Sequence, residues 1–199
     1  MDTFEFAQIP IAIILGFGIS EILAGWGHQI QHRSERHFSA LHLTASAYVL
    51  WLALRYLWIQ WTVRPDSWDY AFYLLTVAPA ATIALASHTL RFDPHLDDRD
   101  PSAQYERNRG PLCILLAIVA PLQALRLVYF ALSSGYSAPP ADSFQSSLLV
   151  VGFLTTTLAC CWMATTAKPG HQWTGWGILW CVQVAYTIAL VPTLVPSTG

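Results

Sequence analysis

The sequence predicts an all-α integral membrane protein of six transmembrane helices, on three observations. Six apolar stretches are each long enough, at about 20 residues, to cross a hydrocarbon core. Charged residues make up only 11% of the chain, against roughly 25% in a soluble domain, too few to cover a globule. Lys and Arg also divide unevenly among the linkers, as they do in multi-pass proteins.

The first span covers about 7–28. Asp2 and Glu5 stand where a signal peptide has its positive region, and no small-residue cleavage site follows, so this is a retained helix. The second and third spans cover about 40–62 and 69–90, joined through Arg64-Pro65-Asp66-Ser67. Residues 91–110 are rich in acidic and basic groups and read as a solvated loop. The fourth span, about 111–133, carries Pro121 at its middle, which removes a backbone hydrogen bond and kinks it. The fifth, about 146–166, lies between Ala138-Pro139-Pro140 and Lys168-Pro169-Gly170, and the sixth covers about 173–195. The whole of 1–199 is one transmembrane domain, with one half over about 7–90 and the other over about 111–195.

Arg33, Arg36, Arg91, Arg99, Arg107, Arg109 and Lys168 fall on one side of this arrangement. The other side has Arg64, joined by Arg55 and Arg126 if these snorkel outward. The richer side is expected to be cytoplasmic, which places both termini outside the cytoplasm. Trp61, Trp68 and Trp173 lie near span ends, where interfacial aromatics belong.

Several functions are excluded or disfavoured. The net charge of −2 and the lack of a basic run argue against nucleic acid. Cys113, Cys160, Cys161 and Cys181 fall in spans or at their ends and read as small apolar packing residues. Gly-x-Ser-x-Gly, His-Glu-x-x-His and phosphate-loop motifs are absent. Lys168 is the only lysine and sits at a helix end, which excludes a mid-helix Schiff base.

An internal repeat emerges at an offset of 105 residues. Trp68/Trp173, Leu74/Leu179, Val77/Val182, Ala80/Ala185 and Thr82-Ile-Ala-Leu85/Thr187-Ile-Ala-Leu190 are identical. The same offset lays the first span on the fourth and the second on the fifth by hydropathy, with Glu21 meeting Arg126. Chance overlap of apolar segments is the plainer alternative. Three spans per half is odd, so the halves are expected to be inverted relative to each other, an arrangement that favours transport.

Ionisable residues inside a bilayer are costly and usually face a bundle interior or water. Glu21, Arg55 and Arg126 qualify. Gly18, Glu21, Gly25, His28 and His32 share one face of the first span by 3-4-3-4 spacing. Gln123, Arg126 and Ser133 stand at matching places on the fourth, and Thr44, Tyr48, Trp51 and Arg55 share a face of the second. Glu21 is a candidate coupling or selectivity residue, or else a structural ion at a helix contact. Arg55 and Arg126 either shape an anion-attracting outer half or snorkel.

The seven histidines, His28, His32, His37, His42, His88, His95 and His171, gather at the side taken as cytoplasmic. His28 and His32 at i and i+4 form a candidate metal pair. The paired His boxes of membrane di-iron enzymes are missing, and interfacial histidine is the simpler reading.

Ile14-Leu-Gly-Phe-Gly-Ile-Ser-Glu-Ile-Leu-Ala-Gly25, followed by Arg33 and Arg36, resembles the opening of an uncharacterised bacterial six-helix membrane family. That family begins Leu-Gly-x-Gly-Ile/Leu-x-x-Leu-Leu-x-Gly. Trp68-Asp-Tyr-Ala-Phe72 and Tyr105-Glu-Arg-Asn-Arg109 stand where it starts its third and approaches its fourth helix. The family has Arg at the places of His28 and His32. The resemblance implies a fold and a bacterial inner membrane, and no activity.

Together these features predict a small channel or carrier for an ion or small solute, in contact with the lipid bilayer and dimeric or otherwise oligomeric. Its path would run between the first and fourth spans, with Gly18, Glu21, Gly25, Gln123, Arg126 and Arg55 along it. No cofactor is expected unless a metal ion binds His28 and His32. The alternatives are an accessory or sensor subunit of a larger membrane complex and, third, a metalloenzyme. A transporter is expected to bring Glu21 and Gln123 to one hydrated cavity; an accessory subunit is expected to bury Glu21 in a dry contact.

Overall fold

In a computed structural model the described residues are all-α and form six helices. They are α1 (Thr3–Gln31), α2 (Ala40–Thr62), α3 (Tyr70–Thr89), α4 (Pro101–Ser133), α5 (Ser143–Thr165) and α6 (Pro169–Leu190). The structure describes residues 3–31, 39–62, 69–91, 101–133, 143–166 and 168–190.

Local chemistry sets several of the ends. Asp69 caps α3 by accepting the Phe72 N–H at 2.7 Å, and the chain leaves that helix through Leu90 N–H to the Ser87 carbonyl at 3.0 Å. Pro169 opens α6, where the missing N–H costs nothing and the Lys168 carbonyl accepts from His171. Within the helices, hydroxyls of Thr44, Ser46, Thr76, Thr82, Ser87, Thr157 and Thr187 donate to carbonyls one turn earlier. Each polar group is thereby satisfied inside its own helix, as an apolar setting demands.

Residues 101–110, expected to be a solvated loop, instead form the first three turns of α4. The exposed charges of this segment, Glu106 and Arg107, lie on one side, whereas Gln104 and Tyr105 are buried and Arg109, one turn after Tyr105, is largely covered. Tyr105 donates to Gln172 at 2.9 Å and receives the Trp176 indole N–H at 2.8 Å. Asn108 donates to the Thr89 carbonyl at 2.8 Å. The segment is an amphipathic helix that docks on the ends of α3 and α6.

Neighbouring helices run in opposite directions. Trp26 meets Ser46 and Gln29 meets His42, so α1 and α2 are antiparallel. His42 to Leu90 and Tyr56 to Thr76 make α2 and α3 antiparallel. Thr89 to Asn108 and Phe72 to Phe130 do the same for α3 and α4. Between α2 and α6 the pairs climb together, from Tyr48 with Trp176 to Arg55 with Gln183, so these two are parallel. Gln60 with Arg126 joins α2 to α4 near the ends of both. Phe153 with Tyr186 and Trp162 with His171 set α5 antiparallel to α6, so α2, α4 and α6 point one way and α1, α3 and α5 the other.

The core runs along α2 and α3, from Ile11, Leu15 and Ile22 on α1 to Leu112 and Leu116 on α4 and Trp176 and Leu179 on α6. Outward faces are as apolar as the inside: Phe6, Ile13 and Phe17 on α1, Ile114 and Val128 on α4, Val151 and Leu158 on α5 are all exposed. The glutamines do the opposite. Gln8, Gln29, Gln60, Gln104, Gln172 and Gln183 are all buried. Apolar outside and glutamine inside is the pattern of a helix bundle whose solvent is lipid.

Three helices are long and apolar enough, by length and composition, to cross a membrane: Glu5–Gln31 of α1, Tyr70–Thr89 of α3 and Ser102–Phe130 of α4. Among the described residues the count of such helices is thus three, against the six expected, and for α2 and α6 the reason lies in residue type. Helices α2 and α6 are rich in Trp and Tyr, and carry His42, Arg55 and Gln60 or His171, Gln172 and Gln183, all of which lower the hydropathy. Over the described side chains of α5, the apolar stretch is Val150–Thr165.

Candidate functional site

Polar side chains converge at one level between α2, α4, α5 and α6. They line a cavity of about 20 Å³ with Tyr48, Arg55, Gln123, Thr156, Gln183 and Tyr186 as its polar members. That volume holds one water-sized particle.

Arg55 is held from two sides. One Nη donates to Gln183 Oε1, and the guanidinium lies 4.9 Å from the centre of the Tyr186 ring. Gln183 uses its other end to donate from Nε2 to the Tyr48 hydroxyl at 3.1 Å. Tyr48 is itself fixed by Trp176 and Trp180, with ring centres at 5.5 and 5.6 Å. Gly152 gives Tyr186 its place, since a Cβ there would overlap the phenol ring.

Arg126 sits nearby in sequence logic but not in this cavity. It turns to the α2–α3 side, donates to Gln60 Oε1 at 2.9 Å, and lies 5.4 Å from the Phe72 ring and 5.8 Å from the Tyr56 ring. Among the described residues neither Arg55 nor Arg126 has a carboxylate in ion-pair reach.

Glu21 lies elsewhere. It faces α3 near its C-terminal end, 3.0 Å from His88 Nδ1 and 3.8 Å from an Arg91 Nη, with 26% of its side chain exposed. Gly18, one turn away, lets α1 close on α3: a Cβ there would stand 2.9 Å from Ser87 Oγ and 3.2 Å from the Ala84 Cα. Gly25 is buried on the same helix. The expected path between the first and fourth helices needs correction. Among the described residues α1 and α4 do not touch, and each packs on α3 instead. Gln123 lines the cavity and Glu21 does not, so the two do not meet there.

The histidines tie helix ends together. His42 Nε2 donates to the Leu90 carbonyl at 3.0 Å, and Nδ1 is 3.1 Å from Gln29 Nε2. Only a carbonyl oxygen faces Nε2, so the ring proton is there and Nδ1 accepts. His88 pairs with Glu21, and His171 lies against Trp162 at 5.2 Å. His28 lies on α1, and His32 falls outside the described residues. Among the described residues no three His, Cys, Asp or Glu side chains are grouped to hold a metal ion. Cys113 and Cys160 are buried and all four cysteines are free.

Sequence reasoning singled out Arg55 and Gln123, and put Tyr48 on the Arg55 face. It missed Gln183, although a lone glutamine in the middle of an apolar stretch is itself a signal. Comparison with family models, curated proteins and solved structures finds nothing that matches the chain.

Proposed function

We propose that this protein is a small channel or carrier for an ion or small solute, crossing a bacterial inner membrane six times. Its polar path runs among α2, α4, α5 and α6, not between α1 and α4. One observation carries the reading: a half-buried arginine, Arg55, faces a cavity shared with Gln123 and the buried Gln183 inside an otherwise apolar bundle. An ionisable residue at such depth is expensive and is kept where it meets a partner, water or a solute.

Six spans are supported by the strict alternation of helix direction, because α2, α5 and α6 lie between or beside helices that qualify on their own. The inverted repeat is supported by that same alternation and by the identities at the offset of 105 residues. Packing in the two halves is not equivalent. Helix α1 lies along α3, whereas α4 lies along both α3 and α5 and reaches α6 through Tyr105, with Gln172 and Trp176. A fixed polar path therefore fits the bundle better than an exchange of two matching halves.

The test is reconstitution into liposomes under proton, cation and anion gradients. Wild type is expected to pass at least one of these, Arg55→Gln to lose the flux, and Glu21→Gln to retain it. Absence of flux under every gradient removes the conduit reading. Flux abolished by Glu21→Gln and kept by Arg55→Gln moves the path back to α1.

A further inference from the structure

We infer that the cavity beside Arg55 is a binding site for a single small monovalent anion of the halide class, an inference that rests on the conduit reading for its purpose but not for its chemistry. The first support is charge. Over 40–62, 111–133, 143–165 and 169–190, the stretches around the cavity, the sequence contains Arg55 and Arg126 and not one Asp or Glu. A guanidinium remains protonated in proteins and cannot shed its charge as a buried lysine does. Gln183 and the Tyr186 ring orient Arg55 and soften its desolvation, yet neither supplies a negative charge. The missing unit of charge is one, which selects a monovalent ion.

The second support is the direction of the hydrogen bonds. Gln183 gives its acceptor to Arg55 and its donor to Tyr48. The Tyr48 oxygen is thus an acceptor already, and its own O–H is left to donate. Arg55 keeps further N–H groups beyond the one bound to Gln183, and Gln123 brings an amide to the same wall. Donors outnumber acceptors around the cavity, the reverse of what a cation needs.

The third support is size. About 20 Å³ suits one monatomic ion. Sulfate or phosphate would need both a second positive charge and movement of Phe153 or Leu116, which form the apolar part of the wall.

The probe is halide binding to the purified full chain in detergent, read as the thermal unfolding midpoint in chloride, bromide, sulfate or gluconate at fixed ionic strength. Chloride and bromide are expected to raise the midpoint saturably, and sulfate and gluconate to leave it unchanged. Arg55→Gln is expected to abolish the halide response, whereas Arg126→Gln, which removes the arginine outside the cavity, keeps it. Should Arg55→Gln fail to fold, Tyr48→Phe serves, with halide affinity expected to fall roughly ten-fold or more for loss of a bond to a charged group. Equal midpoints in all four salts, or a halide response that survives Arg55→Gln or is unchanged in Tyr48→Phe, overturns the site. Halide binding without flux leaves the site and removes the conduit; flux without halide binding does the opposite.

Discussion

Gly18 and Gly152 set how closely two helix pairs can approach. Gly18 faces the Ala84 backbone, which cannot yield, so Gly18→Leu is expected to push α1 off α3. The cost of such overpacking is about 1–3 kcal/mol, measurable as a lower unfolding midpoint in detergent. Gly152→Ala meets a side chain instead, and the ring of Tyr186 must move. The expected result is a changed tyrosine signal in near-ultraviolet circular dichroism together with reduced flux, because Tyr186 lies under Arg55. Asp69 offers a pH test. The Phe72 N–H and then the Tyr129 hydroxyl hold its carboxyl below the ordinary 3.8. A lowered value means that the charged form favours the fold: the contribution is full above about pH 4 and fades as pH falls through the folded value. The wild-type midpoint should therefore drop below pH 4 more steeply than that of Asp69→Asn.

At the scale of elements, α2 spans the residues its hydropathy indicates, Ala40–Thr62, and α3 departs by a single residue at each end. Helix α4 departs by ten at its start. Glu106 and Arg107 mark 101–110 as wet, which is correct for their faces, but the buried Gln104 and Tyr105 and the largely covered Arg109 give the segment a second, dry face. Alternating wet and dry residues at helical spacing look like a loop when only charge is counted. Tyr105→Phe tests the docking. It leaves the Trp176 indole and the Gln172 amide without their partner and should cost about 1–3 kcal/mol, read by thermal unfolding and a shifted tryptophan emission. The face of Thr44, Tyr48, Trp51 and Arg55 is equally legible along α2. Its partner is not, because no local pattern says that α6, rather than α1, covers it.

For the whole molecule, residue type along each helix was visible in the sequence and helix neighbourhood was not. The odd position is α3, which stands between α1 and α4 and separates Glu21 from Gln123. Spacing within a helix constrains faces; which faces meet depends on all six at once. The repeat shows the same limit, since Thr82-Ile-Ala-Leu85 and Thr187-Ile-Ala-Leu190 match in sequence while α3 and α6 keep different company. Orientation remains a question of charge. Seven cationic side chains, from Arg33 to Lys168, lie on one side of the proposed six spans. A C-terminal alkaline phosphatase fusion is therefore expected to be active and a C-terminal green fluorescent protein fusion dark. The opposite pair of results would reverse the topology.

The contrast between strongly apolar α1, α3 and α4 and the aromatic, arginine-bearing α2 has a consequence for how the chain is made. A translocon judges each segment as it emerges, and an arginine near a helix centre disfavours release into lipid by roughly 2.5–3.5 kcal/mol. On these terms α2 is a poor client alone and an acceptable one once α6 follows, since both partners of Arg55, Gln183 and Tyr186, lie there. The side chain that equips the finished bundle for its solute would thus also set when α2 can settle in the membrane, after the last helix has arrived.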